Sequence, residues 1–150
     1  MHVAVGLGCD RGTPLTTLRQ ALAEALAQVG VRPSQVAAAA SITLKADEPG
    51  LLALAREQGW RMAFYTPETL AAVAVPNPSE TVRKYTGTPS VSEAAALMAG
   101  AALAGLAQAL PMQALLVEKY KCRGADGRNA TVSIARCDSF FLRFLLVFQP

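Results

Sequence analysis

Four short clusters in this sequence combine residue types that can do chemistry. The first, Gly6-Leu7-Gly8-Cys9-Asp10-Arg11-Gly12-Thr13-Pro14, lies between an apolar run and a leucine-rich stretch with helical spacing. Its glycines allow close approach to the backbone, a helix N-terminus directs free amides outward, and Arg11 offers a two-pronged donor. Together these features suit an anion, with Gly8, Cys9, Arg11, Gly12 and Thr13 as candidate contacts. The motif starts like the dinucleotide fingerprint G-x-G-x-x-G, but Arg11 stands where the third glycine belongs, and no Gly-Lys-Ser/Thr occurs. A nucleotide module is thus poorly supported. The second cluster, Lys45-Ala46-Asp47-Glu48, places three charges at a strand-to-helix junction. Lys45 could hold a carboxylate while Asp47 or Glu48 handles a proton or water; acids in a first helical turn are equally what the helix dipole favours. The third is the stiff polar loop Pro76-Asn77-Pro78-Ser79-Glu80, with amide donors at Asn77 and a candidate helix cap at Ser79. The fourth, Gly87-Thr88-Pro89-Ser90, repeats the Gly-Thr-Pro opening ahead of another helix and adds Gly87, Thr88 and Ser90 as candidate contacts, with Glu93 as a proton carrier. Gly-Thr-Pro is also simply a good turn and cap; its recurrence is what makes a shared anion site attractive. Lys119 lies on a later strand. Cys9, beside the first loop, is a candidate nucleophile if its thiolate is stabilised there, and otherwise a small packing residue.

Composition removes much other chemistry. The single histidine, His2, leaves no interior Ser-His-Asp triad and no H-E-x-x-H zinc site. Cys9, Cys122 and Cys137 include no C-x-x-C pair, so neither a disulfide framework nor a four-cysteine metal site is available. No metal or cofactor is expected. Apolar residues make up 52% and charged residues 17% of the 150, so the chain must bury much of itself. A net charge of +3 is too mild for a nucleic-acid face yet tolerates an anionic partner. From 94 to 117 there is no Asp, Glu, Lys or Arg. The stretch holds Gly100, Gly105, Gln108, Pro111 and Gln113 and is mostly alanine, so a buried helix running into a buried strand is expected, not a membrane span. The N-terminus reads as a first strand rather than a signal peptide, and unpaired thiols fit a reducing cytoplasm.

The elements that must position these clusters follow from periodicity. A strand is predicted over 2–7. Thr13 then caps a helix with Pro14 at its first position, and Leu15, Leu18, Leu22, Leu26 and Val29 turn inward. Val36 to Thr43 is a second strand, Asp47 or Glu48 opens a helix ended by Gly59, and Trp60 to Tyr65 is a third strand. Thr66 caps a short helix, and Ser90-Val91-Ser92-Glu93 forms a capping box before the alanine-rich helix. Ala114 to Lys121 and Ala130 to Arg136 pair around a turn rich in Gly and Asp. Strands alternating with helices, then a late strand pair, predict one three-layer α/β/α domain with a mixed sheet over 1–136. The tail 137–150 holds four of the five phenylalanines. It is either one more core element or an apolar surface covered in a homo-oligomer.

Taken in order, Gly6-Leu7-Gly8-Cys9, Arg11-Gly12-Thr13, Ser41 with Lys45, Asp47-Glu48, Gly50-Leu51, Leu54-Ala55, Pro76-Asn77-Pro78-Ser79-Glu80, Gly87-Thr88-Pro89-Ser90-Val91, Glu93-Ala94-Ala95-Ala96-Leu97 and Lys119 resemble the CobE/CbiG C-terminal-domain family of cobalamin biosynthesis, collinearly from about residue 2 to 136. The resemblance implies the three-layer fold, a role in building the corrin ring, and a precorrin or corrin-type tetrapyrrole as ligand, with other enzymes of that pathway as possible partners. It also implies that the longer relatives open a precorrin lactone and release acetaldehyde, while this chain resembles the stand-alone form. Two readings stay open: a protein that binds a polyanionic intermediate, and a hydrolase using Lys45, Asp47, Glu48, Glu93 or Cys9. For binding, Arg11 and Lys45 are expected to meet ligand carboxylates, and replacing either by Met should leave folding nearly unchanged.

Overall fold

A computed structural model describes the backbone of residues 1–147 and side chains through Leu145. β1 (Val3–Cys9) is buried along nearly its whole length, as a strand covered on both faces must be. α1 (Leu15–Gln28) returns antiparallel to it with Leu18, Leu22 and Leu26 inward, leading to β2 (Val36–Ile42), α2 (Pro49–Gln58) and β3 (Met62–Tyr65). These three strands are parallel. Short helices α3 (Pro67–Ala71) and α4 (Glu80–Thr86) precede α5 (Ser92–Leu103); a β4 (Leu115–Arg123) and β5 (Asn129–Arg136) hairpin and α6 (Ser139–Val147) complete the chain. β5 inserts antiparallel beside β1, giving the sheet order β3-β2-β1-β5-β4. The architecture is the predicted single α/β domain with a mixed sheet.

The two faces of the sheet are packed differently. On one, Val3, Val5, Leu7, Val132 and Ile134 meet the leucines of α1 and α2. On the other, Ala4, Ala40 and Ala135 meet the alanines of α5. Small residues on both sides bring that helix unusually near: a Cβ on Gly6 would stand 1.9 Å from the carbonyl oxygen of Ser92. Here glycine serves close packing. Among the described residues no helix is long and apolar enough to cross a membrane; α5 gives way to a turn and then β4 within the uncharged stretch.

Several local expectations are corrected. α1 begins at Leu15 with Pro14 at the cap position, and the Thr13 hydroxyl instead donates to the Asp10 carbonyl at 2.7 Å, closing the loop. Glu48 occupies the cap position of α2 without capping it. The predicted capping box does not form: Val91 stands at the cap position of α5 without a side-chain cap, Ser90 Oγ accepts from the Ala94 amide at 3.3 Å, and Glu93 turns away toward Asn77. Trp60 lies outside β3, its N–H donating to the Ala55 carbonyl in the left-handed turn at Gly59 that ends α2. The caps at Thr66 and Ser79 form as predicted, accepting from the amides of Thr69 and Val82. The tail contributes α6, with Leu142 buried against the α5 face and Phe140 exposed; residues 148–150 lie outside the described residues.

Candidate functional site

The predicted residues gather into two groups. In the first, the loop after β1 meets the junction after β2. Arg11 reaches across to Asp47 Oδ1 at 2.9 Å, Glu48 Oε2 at 2.8 Å and the Leu44 carbonyl at 2.7 Å. The other oxygen of Glu48 accepts the Gly12 amide at 2.7 Å, and the Glu48 side chain is fully buried. Gly12 has φ +82°, where a larger residue would be strained. The β4–β5 turn closes over this loop: Arg128 Nε donates to the Arg11 carbonyl at 3.0 Å, and Asp10 accepts from the amide and side chain of Asn129. Lys45 is half-buried at the same junction.

Cys9 borders this group, but its thiol is not activated. Burial pushes its pKa up to about 11, with Lys45 pulling down and Glu48 pushing up more weakly. At neutral pH that favours the thiol, so of the two expectations for Cys9 burial supports the small packing residue over the nucleophile. Asp47, by contrast, is held below the usual carboxylate range, chiefly by the Arg11 hydrogen bond.

The second group lies where the 76–80 loop, the start of α5 and β4 meet. Asn77 Nδ2 donates to Glu93 Oε2 at 2.7 Å and to Glu118 Oε1 at 2.9 Å, and the Asn77 backbone amide donates to Glu93 Oε1 at 3.3 Å. Lys119 Nζ donates to the Asn77 carbonyl at 3.4 Å. Glu93 is fully buried, and burial raises its pKa against the lowering effect of Asn77 and Lys119. Glu118 adds a weaker push in the same direction as burial, toward the protonated form of Glu93.

Other predicted residues build the frame. The Ser79 amide donates to the Pro89 carbonyl at 2.8 Å, locking the 76–80 loop to the 87–90 segment. Thr88 and Ser90 are buried, with the Thr88 hydroxyl donating to the Ser90 carbonyl at 3.0 Å. Gly87 is an exposed left-handed cap of α4, and Gly8 packs beside Val91. Sequence reasoning missed Glu118 and Arg128, because nothing local marks a strand glutamate or a turn arginine as partner to a loop far away in the chain. Among the described residues no three His, Cys, Asp or Glu side chains cluster as a metal site. A cavity of about 530 Å³ opens at the opposite end of the sheet, beside His2, Ala37, Leu103 and Leu142.

Comparison with known proteins adds a consistent set of relatives. The family model described as "Cobalamin synthesis G C-terminus" matches residues 3–135. Protein CobE of Sinorhizobium sp is 42% identical over 98 residues, 64% of each chain. The cobalt-precorrin-5A hydrolase of Priestia megaterium is 40% identical over 96 residues, 64% of this chain but 26% of the hydrolase. The matched stretch is thus about a quarter of that enzyme. Among solved structures, CobE, a protein from the cobalamin (vitamin B12) biosynthetic pathway, superposes with TM-score 0.71 at 31% identity, covering 91% of this chain and 92% of the other. The cobalamin biosynthesis protein chiG from Agrobacterium tumefaciens gives 0.58 at 29% identity, covering 91% and 99%.

Proposed function

The chain belongs to the cobalamin synthesis G C-terminus family, and from that premise we propose that it binds a precorrin or corrin-type tetrapyrrole and handles this polyanionic intermediate between enzymes of cobalamin biosynthesis. The observation that carries the reading is convergence. Motif blocks far apart in sequence are tied together in space, the β1 loop to the β2 junction through Arg11 and Asp47, and the 76–80 loop to the start of α5 through Asn77 and Glu93. The first pair lies at the carboxyl ends of parallel strands, the end at which open α/β sheets bind ligands. Acetate and propionate groups around a macrocycle are suited to cations and amides spread over such loops, with Gly8, Gly12, Lys45, Asn77 and Lys119 as contacts. Titrating the protein with hydrogenobyrinic acid, a metal-free corrin bearing free carboxylates, should perturb its visible spectrum in a saturable way. A silent spectrum and calorimeter at high micromolar protein would overturn the reading.

The Glu93–Asn77–Glu118 arrangement favours a second reading, hydrolysis of a precorrin lactone with release of acetaldehyde. Two carboxyls sharing the Asn77 side-chain amide, one of them buried with its pKa raised by that burial, supply the groups that proton transfer to and from a lactone needs. Acetaldehyde formed from a precorrin lactone by wild type and lost in Glu93→Gln would establish it; binding without turnover would leave the handling role.

A further inference from the structure

Arg11 and Lys45 stand at one junction, and their surroundings divide their roles. The Arg11 guanidinium is surrounded by acceptors of its own chain: Asp47, Glu48 and the Leu44 carbonyl. Glu48 is completely buried, and its Oε2 has no hydrogen-bond donor apart from the ion pair with Arg11. Its Oε1 fixes Gly12 at positive φ. A buried carboxylate stripped of its cation is costly, so a ligand carboxylate that drew Arg11 away would leave Glu48 uncompensated. Lys45 differs. Among the described residues its ammonium makes no ion pair and no hydrogen bond, though Cys9 and Asp47 both feel its charge.

We infer that Arg11 is a positioning residue, the cation of a clamp Arg11–Glu48–Gly12 that sets the loop after β1, and that Lys45 is the group which grips a ligand carboxylate. The inference rests on the tetrapyrrole reading for its ligand, while the clamp stands without it.

The clamp is tested by a double-mutant cycle in urea unfolding using Arg11→Met, Glu48→Gln and the pair. The Glu48→Gln change keeps an acceptor for the Gly12 amide and removes the buried charge. The double variant is expected to be more stable than Arg11→Met alone; strictly additive losses would overturn the clamp. Binding of hydrogenobyrinic acid across a salt series then separates the two cations. The double variant should bind within about threefold of wild type with the same salt dependence, because the charges removed neutralise each other. Lys45→Met should lose roughly 10- to 100-fold in affinity, the worth of a charge-assisted hydrogen bond, and show a flatter salt dependence, with Lys45→Arg restoring most of both. A double variant that folds yet binds weakly, with a flattened salt dependence, would show that Arg11 itself holds the ligand. Full affinity in Lys45→Met would remove Lys45 from the site. A wild type that binds no corrin would remove the tetrapyrrole reading and the Lys45 role with it, and the unfolding cycle would judge the clamp by itself.

Discussion

Glu48 and Glu93 are both buried glutamates at helix starts, and other elements bring them different partners. Glu48 sits at the cap position of α2 with a guanidinium 2.8 Å from one oxygen and a backbone amide 2.7 Å from the other. Glu93 sits in the first turn of α5 with a neutral amide as its nearest donor and a second carboxylate beyond it. The first arrangement supplies a cation and an amide and closes a loop. The second supplies an amide alone in direct contact, and burial favours the proton on Glu93. Position in a helix therefore does not decide what a buried glutamate does; the partners brought by other elements do.

Gly6 is the position whose substitution should disturb the Glu93 group most and the Glu48 group least. A side chain there would collide with the backbone of α5 at Ser92 and Ala96, so Gly6→Ala should destabilise by about 3 kcal/mol and displace the helix that carries Glu93. Urea unfolding gives the stability. Amide shifts should move around Asn77 and Glu118 and much less around Gly12, and equal disturbance of both groups would show that the two are one mechanical unit.

Removing the charged clamp is the next largest change. Glu48→Ala leaves the Gly12 amide and the Arg11 guanidinium without their shared acceptor and opens space in the fold. A loss of about 1–3 kcal/mol is expected, read from the unfolding midpoint at constant slope. An unchanged midpoint would mean that the carboxylate contributes nothing, and the contrast with Glu93 would lose its basis.

The two glutamates should also differ, more modestly, in their response to pH. Because the pKa of Glu93 is raised above the ordinary 4.5, the folded state holds that proton more tightly than the unfolded chain does. Its contribution is fully present below 4.5 and is lost as pH rises through the folded value. Wild type should thus lose stability relative to Glu93→Gln as pH is raised from 4.5 toward neutrality, the two behaving alike at the acid end. Parallel profiles in urea unfolding across that window would show Glu93 to titrate as an ordinary surface carboxylate.

Much of the fold was legible because it is local. The three- and four-residue spacing of Leu15, Leu18, Leu22 and Leu26 fixes the buried stripe of α1 without reference to anything distant. Thr66 and Ser79 cap the helices that follow them, since an N-cap needs an acceptor only two or three residues from its donor. The same logic failed where a distant partner competed. Thr13 and Glu93 have the right types for capping, but the Asp10 carbonyl claims one and Asn77 the other.

Local pattern thus sufficed for the main elements up to residue 136, the α/β class with a late strand pair, and the loops on which polar residues fall. Folding was needed to place β5 rather than β4 beside β1, to bring a helix against the sheet at Gly6, and to complete the group around Asn77 with Glu118. It alone turned Arg11 from an apparently free fork into the partner of a buried carboxylate. Range explains the division. Propensity and periodicity act over a few residues, whereas a charge 36 positions away, as Glu48 stands to Gly12, becomes a neighbour only once the strands between them have paired.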